Sequence, residues 1–389
     1  MSRPTKVDVL VVGAGPAGST AALLLSRAGL RVMVVESKRR PGLGTPCSGI
    51  LGPLAWEALP LRDESWIVGE VKWAEFESPG GVRFRIDGDR RLAVVVDREV
   101  MDREISEAAA SEGAEILTRT RLVRLTNGRA ELKSPSESLV VRYTYLIGAD
   151  GANSRVRTLL GVRSPGLEVG VNARCRSLNP DGYSVKLRGG SSFSWVQPGP
   201  SGRMRGALGP LGSPLLAWAL DGDCEVREIR GGLIPRRPLR RLTHKIGSSW
   251  ALFVGDAAGQ VKPLSRGGIF WGVSGAKMAA SAVIGHVEGR CKPSVYDAAW
   301  WTQFRREVAL GLAIRRFLER LSLKQLDRLI SLIKEHEKEF SEAFHVDLQG
   351  ATAVKVLSAQ LAIHSTAVSP VAATAAAVTL VKELMGVGI

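Results

Sequence analysis

The chain has 389 residues, long enough for two or three domains around a large core. Its 45% hydrophobic and 23% charged residues are ordinary for a globular protein and exclude a fibrous or low-complexity chain. A net charge of +15 favours anionic partners, yet neither zinc-finger spacing nor an aromatic-interleaved basic motif points to nucleic acid.

The first predicted element is a strand over Val7–Val12, an apolar run of β-formers. It leads into Gly13-Ala14-Gly15-Pro16-Ala17-Gly18, a G-x-G-x-x-G, followed by a helix from Ser19 to Ala28 with Gly29 as its stop. A second strand, Arg31 to Val35, ends at Glu36, with Ser37 next. Strand, glycines, helix, strand and terminal acid in this order form one βαβ unit for a dinucleotide. Gly13 allows the tight turn, and Gly15 lets the backbone approach a pyrophosphate. Gly18 permits close helix–strand packing, and Glu36 is placed to accept hydrogen bonds from a ribose diol. The free N–H groups and positive end of the helix face the phosphates. NAD and FAD proteins share this unit, so the remainder of the chain must choose between them.

Further strands are expected at Leu92–Val96, Ala114–Thr118 and Leu122–Leu125, the last running through Val123 to a hairpin at Asn127-Gly128. Asp97-Arg98 precedes a helix expected over Asp102–Gly113. Tyr145–Gly148 reads as a strand entering the turn Asp150-Gly151, and Leu167–Gly212 reads as antiparallel sheet with loops. Trp250–Asp256 is a buried strand, followed by a long helix from about Gly268 to Val287 and strongly helical sequence over Ser294–Phe344. The fold class is therefore α/β. A discontinuous dinucleotide-binding domain takes residues 1–165 and 230–290, a β-rich substrate domain takes 166–229 with parts of 50–95, and a helical region takes 291–389. Residues 356–381 carry no Asp, Glu, Lys or Arg but are rich in Ala, Ser and Thr, too polar for a membrane span. They read as small-residue helices packed on the body or lying at a lipid interface.

The four cysteines, Cys47, Cys175, Cys224 and Cys291, form no C-x-x-C, so no metal site is expected. The chain starts directly with the fold, which predicts cytoplasmic residence with peripheral contact to an anionic membrane. No disulfide framework is expected there, although a Cys175–Cys224 bridge stays open.

Three further segments resemble FAD-dependent oxidoreductases of the glutathione-reductase-like class, in the aromatic-hydroxylase branch. They are Asp150-Gly151, Gly255-Asp256-Ala257-Ala258-Gly259, and Pro263 followed by Gly267-Gly268-Ile269. The resemblance implies a Rossmann-type FAD-binding domain with an inserted antiparallel sheet. It also implies that Asp256 binds ribityl or ribose hydroxyls, that Gly267, Gly268 and Ile269 offer a helix start to the flavin, and that Arg98 contacts FAD. Within that branch the chain is most similar to the geranylgeranyl reductase family, over nearly its whole length. Pro46-Cys47-Ser48-Gly49 resembles its cysteine loop beside the flavin. Phe193-Ser194-Trp195-Val196-Gln197-Pro198 resembles its aromatic-x-Trp-x-aromatic-Pro motif, with Gln197 where an aromatic is expected. Tyr296, Trp300, Phe304 and Arg315-Arg316 resemble its helical region.

The resemblance implies reduction of isolated C=C bonds in an isoprenoid lipid by hydride from reduced flavin plus a proton, with NADPH, ferredoxin or another external reductant. The candidate catalytic residues are Cys47, as proton donor or shape-setting residue, with Phe193 and Trp195 as walls of an apolar tunnel that Phe270 and Trp271 extend. Arg266, where a small residue is usual, is expected to hold an anion near the flavin or to make a surface ion pair. The alternatives are an FAD monooxygenase or halogenase, a membrane-associated electron-transfer flavoprotein, and a non-catalytic lipid-binding module.

Overall fold

The computed structural model describes residues 5–88, 91–178, 180–200, 202–222, 224–350 and 352. The segment 356–381 lies outside the described residues.

The apolar run at the start becomes the strand Val9–Val12, central in a six-stranded sheet. From edge to edge the order is Thr243–Ile246, Ser249–Phe253, Tyr145–Gly148, Val9–Val12, Val32–Val35 and Glu115–Leu117. All neighbours are parallel except the antiparallel edge strand Thr243–Ile246. Its central strands are buried throughout, as expected of a parallel sheet covered on both faces. The helix Pro16–Arg27 packs against Arg98–Ser111 and Ile269–Val287. Helix Arg98–Ser111 begins four residues before its expected start, because the Asp97 side chain accepts from Glu99 N–H and caps it there.

A seven-stranded sheet forms the second layer. Its order is Glu225–Pro235, Leu167–Arg176, Gly202–Gly209, Ser192–Gly199, Gly182–Gly189, Trp73–Glu77 and Arg83–Asp87. Every pairing is antiparallel except Gly182–Gly189 with Trp73–Glu77. The expected boundary at 229/230 falls inside Glu225–Pro235, which stays paired with Leu167–Arg176 through Pro235. The expected hairpin at Asn127-Gly128 joins Arg121–Thr126 to Arg129–Lys133, with Gly128 at φ 68°.

Beyond the long helix Ile269–Val287 follow Val295–Arg320, Leu323–Glu335 and Glu337–Ala343. Trp271 does not face a tunnel. It is 1% exposed and packs its ring on Trp300 and Phe304, at centroid distances of 5.9 and 5.2 Å. The helix turns this face into the main core, while Phe270 stays half-buried at its rim. No described helix is long and apolar enough to cross a membrane.

Cys175 and Cys224 form a disulfide, with Cα atoms 5.4 Å apart across a separation of 49 residues. The pairing follows from strand register: Cys175 lies opposite Val226, which brings Cys224 to the same sheet end. Closing a loop of this length restricts the unfolded chain, so reduction should lower stability by about 2–4 kcal/mol. Urea unfolding with and without reductant checks this, and coincident curves would show a bridge without effect on stability.

Candidate active site

Two turns lie at the carboxyl ends of the parallel strands, where open α/β sheets bind ligands, and a third joins them through Arg98. The first is the glycine turn. Gly13 N–H donates to the Val35 carbonyl (2.8 Å) and Gly13 takes φ 101°. Glu36, 9% exposed, accepts from Ala14 N–H (2.9 Å), Lys38 N–H (2.8 Å) and the Ser37 hydroxyl (3.2 Å). The helix that follows has Pro16 in its first turn, no side-chain cap and no acid there. Its N–H groups and positive end are therefore free for an anion. A Cβ built on Gly15 meets nothing within 4 Å, so the backbone borders clear space.

The second turn is Gly255–Ala258. Gly255 packs against Ala17, whose Cβ would lie 3.0 Å from a Cβ at Gly255. The Asp256 carboxylate lies against the start of helix Ile269–Val287, with its Oδ1 only 2.9 Å from a Cβ built on Gly268. Burial pushes the Asp256 carboxyl up to about 6, with Arg98 opposing that shift.

Arg98 is the hub. Its guanidinium makes a bidentate pair with Asp102, 2.8 Å on both arms. Burial works against the Arg98 charge, yet Asp102 and Cys47 beside it hold its pKa above the ordinary value. The Asp102 carboxyl is pushed up by burial and pulled back by Arg98.

The third turn is the cysteine loop. Gly49, at φ 76°, donates its N–H to Cys47 Sγ (3.5 Å), while its carbonyl accepts from Val96 N–H (3.0 Å). The loop thus sits at the end of Ala93–Val96, immediately before Asp97-Arg98. On its other side lies the seven-stranded sheet. Phe193 and Trp195, 9% and 8% exposed, alternate with Ser194 and project from the same face, their rings 5.7 Å apart. Val185 and Leu208 pack with them.

Other expected residues lie around this centre. Asp150 directs its carboxylate into its own turn, accepting from the Ser154 hydroxyl (2.6 Å) and Val156 N–H (3.0 Å). Burial pushes the Asp150 carboxyl up. Gly151 follows at φ 77° beside open space. Val123 sits at a β-bulge, half out in solvent, and its carbonyl accepts from Arg155 (3.1 Å).

Arg266 overturns its expectation: it neither reaches for an external anion nor lies on the surface. It is 5% exposed, adopts φ 63°, and donates to Glu168 (2.6 Å) and to the Pro263 and Leu264 carbonyls. Arg315 donates to the same Glu168. Isolation of two guanidinium groups from water is tolerated because that carboxylate and several carbonyls pair them.

Two supports went unread in the sequence. Arg157 donates to the Ala152 and Ala257 carbonyls (2.6 and 2.9 Å), tying the Asp150 turn to the Asp256 turn. Gln260 accepts from Gly255 N–H (2.7 Å) and donates to the Tyr296 hydroxyl (2.8 Å), which donates to the Phe253 carbonyl (2.8 Å). Arg157 lies seven residues beyond Asp150, but its Ala257 partner lies a hundred residues away.

The FAD binding domain family matches residues 6–53 and 74–225, more than half of the chain. The chain belongs to that family. The glycine turn fits this cofactor: clear space beside Gly15, an uncapped helix start, and a buried acid at the end of the second strand. This flavoprotein is 26% identical over 388 residues to the digeranylgeranylglycerophospholipid reductase of Methanothrix thermoacetophila, covering 90% of this chain and 96% of that one. It is 28% identical over 363 residues to digeranylgeranylglycerophospholipid reductase 2 of Methanothermobacter thermautotrophicus, covering 84% and 91%. A geranylgeranyl bacteriochlorophyll reductase-like protein of Thermoplasma acidophilum superposes with a TM-score of 0.79 at 21% identity, over 91% and 96% of the two chains. The p-nitrophenol 4-monooxygenase PnpA of Pseudomonas putida superposes with a TM-score of 0.69 at 18% identity, over 90% and 97%. The resemblance to the geranylgeranyl reductase family is borne out, and the flavoprotein is an FAD-dependent oxidoreductase.

Proposed function

We propose that the flavoprotein saturates C=C bonds of geranylgeranyl chains, in precursors of membrane ether lipids. The observation that carries this reading is the placement of Cys47. Its thiol lies beside Arg98, and the residues on either side of it, Pro46 and Ser48, are held by Asn172 and Gln197 from the sheet that carries Phe193 and Trp195. Its support is the likeness to curated reductases over most of both chains.

FAD, when bound, supplies the hydride. It would be held by the Gly13–Gly18 turn, Glu36 and Ser37, Val123, Asp150-Gly151, Gly255-Asp256, Arg98 and the helix start at Gly267, Gly268 and Ile269. An isolated alkene has no carbonyl to polarise, so the second carbon needs a proton delivered at close range. Cys47 is the proton donor: its S–H is the group beside Arg98, whose guanidinium would stabilise the thiolate left behind. Phe193, Trp195, Val185 and Leu208 exclude water and fix an aliphatic chain against the reacting atoms. The excess of 53 basic over 38 acidic residues favours a phosphorylated lipid headgroup and peripheral contact with an anionic membrane. Electrons come from NADPH, ferredoxin or another external donor.

The test is anaerobic. The holoenzyme is reduced with dithionite and mixed with geranylgeranyl phospholipid. Flavin reoxidation with a gain of two hydrogens per bond in the lipid is expected. Flavin that stays reduced until oxygen is admitted would sink the proposal and favour a monooxygenase or an electron carrier.

Cys47→Ser should retain FAD but lower alkene reduction by about 10²-fold or more, since positioned acids contribute on that scale. Single-turnover rates read this, and an unchanged rate would make the thiol a structural residue.

A further inference from the structure

The cysteine loop is held from the sheet side by two side-chain amides. Asn172 Nδ2 donates to the Pro46 carbonyl (3.1 Å), and Gln197 Nε2 donates to the Ser48 carbonyl (2.6 Å). These carbonyls belong to the peptide unit that enters Cys47 and the one that leaves Ser48. Peptide units are rigid planes, so fixing both leaves the intervening Cys47-Ser48 backbone little freedom.

The two amides come from different strands, and the register explains how they share one face. Asn172, Gly206 and Trp195 form a single cross-strand row, and Gln197 follows Trp195 by two residues. Gly206 makes the row possible. A Cβ there would come 2.2 Å from the Trp195 ring and 2.8 Å from Asn172 Oδ1. Gly232 has a matching role: a Cβ there would come 2.6 Å from Pro46 Cγ.

We propose that Asn172 and Gln197 are positioning residues, an amide clamp that holds Cys47 beside Arg98 and facing the Trp195 wall. A second observation separates them from ordinary packing. Asn172 and Gln197 are 6% and 0% exposed, yet Asn172 Oδ1, Gln197 Oε1 and Trp195 Nε1 between them have no protein partner. Unpaired buried polar atoms weaken a fold, and an apolar pair at these positions would avoid them. Such a local conflict is the mark of residues kept for a site. Gln197 replaces the aromatic that the family motif leads one to expect, so this chain makes its own hold on the loop.

The clamp rests on the reading that Cys47 supplies the proton, and the experiment separates the two. Hydrogen–deuterium exchange is measured on the FAD-loaded enzyme over residues 44–52, without substrate, for Gln197→Phe, Asn172→Ala and Gln197→His. The histidine ring nitrogen reaches about as far as the glutamine amide and can donate. In Gln197→Phe and Asn172→Ala, exchange in the loop should rise about tenfold, with FAD retention and exchange over residues 9–36 unchanged. For the same two variants, kcat should fall about tenfold while KM for the lipid holds, because a misplaced acid affects only the transition state. Gln197→His should recover both. Wild-type loop exchange in Gln197→Phe and Asn172→Ala overturns the clamp whatever Cys47 does. Faster exchange with unchanged kcat overturns the positioning role. If Cys47→Ser alone proves harmless, the proton role falls while the exchange result still judges the clamp.

Discussion

Replacing Gly18 with alanine should strip the protein of FAD and lower its melting temperature, whereas Gly15→Ala should strip FAD alone. The two glycines lie three residues apart in one motif, and the structure gives them different reasons. A Cβ on Gly18 would stand 2.0 Å from the Gly13 carbonyl oxygen and 3.0 Å from the Ala149 Cβ. The first of these is backbone at the end of the central strand, tied by Gly13 N–H to Val35, and cannot swing aside. Helix Pro16–Arg27 must therefore back away from the sheet, and overpacking of this kind costs about 1–3 kcal/mol. The same retreat displaces the helix N-terminus and Ala17, against which Gly255 packs. Gly15 has no atom within 4 Å of its notional Cβ and an extended backbone at φ −75°. Alanine fits there without strain, but its methyl group enters the space a pyrophosphate needs. Flavin absorbance and thermal unfolding of both variants check the pair. A yellow Gly18→Ala protein with the parent melting temperature would refute the packing account.

What could be read in advance was local. The βαβ unit spans some thirty residues, and each step has a chemical signature: apolar run, glycines, helix, acid. The cysteine loop and the Gly255-Asp256 turn were likewise visible as short segments. That Arg98 and Asp102 on one helix converge with Cys47 and Asp256 depends on how three elements stack, which periodicity does not encode. The Cys175–Cys224 bridge and the Asn172–Gly206–Trp195 row depend on register across the second sheet, where a one-residue slip would exchange the faces. Arg266 and Gln197 stood out only as departures from a motif. The structure gives each a partner more than 75 residues away in sequence, Glu168 for one and Ser48 for the other. Trp271 was misread for a related reason. Its aromatic character suits a tunnel and a core equally, and only the docking of helix Val295–Arg320 decides between them.

Asp256→Asn should make the apoprotein more stable at neutral pH and the holoprotein poorer in FAD. Burial raises the carboxyl from an ordinary 3.8 to about 6, with Arg98 offsetting only part of the effect. The sign follows from proton linkage. Below about pH 4 the group is protonated in both folded and unfolded chains and contributes nothing. Between 4 and 6 the folded chain binds the proton more tightly, so apoprotein stability falls as pH rises. Above 6 the penalty levels off at up to about 3 kcal/mol, since each tenfold difference in proton affinity between the two states is worth about 1.4 kcal/mol. Asparagine carries no such charge, so the gain should appear at pH 8 and vanish near pH 4. In the holoprotein the ionised carboxylate can accept from two ribityl or ribose hydroxyls, and that interaction offsets its burial. An amide accepts more weakly, so FAD affinity should fall about 10–100-fold, the scale of a hydrogen bond to a charged group. Denaturant unfolding of both apoproteins at pH 4.5 and pH 8, with FAD titrations at each, reads both halves. Equal apoprotein stability at pH 8 would show that Asp256 is solvated rather than buried. Unchanged FAD affinity would remove it from the cofactor site. Gain in one and loss in the other is what a carboxylate held out of water for a ligand must show, because its discomfort in the empty fold is the measure of what the bound hydroxyls relieve.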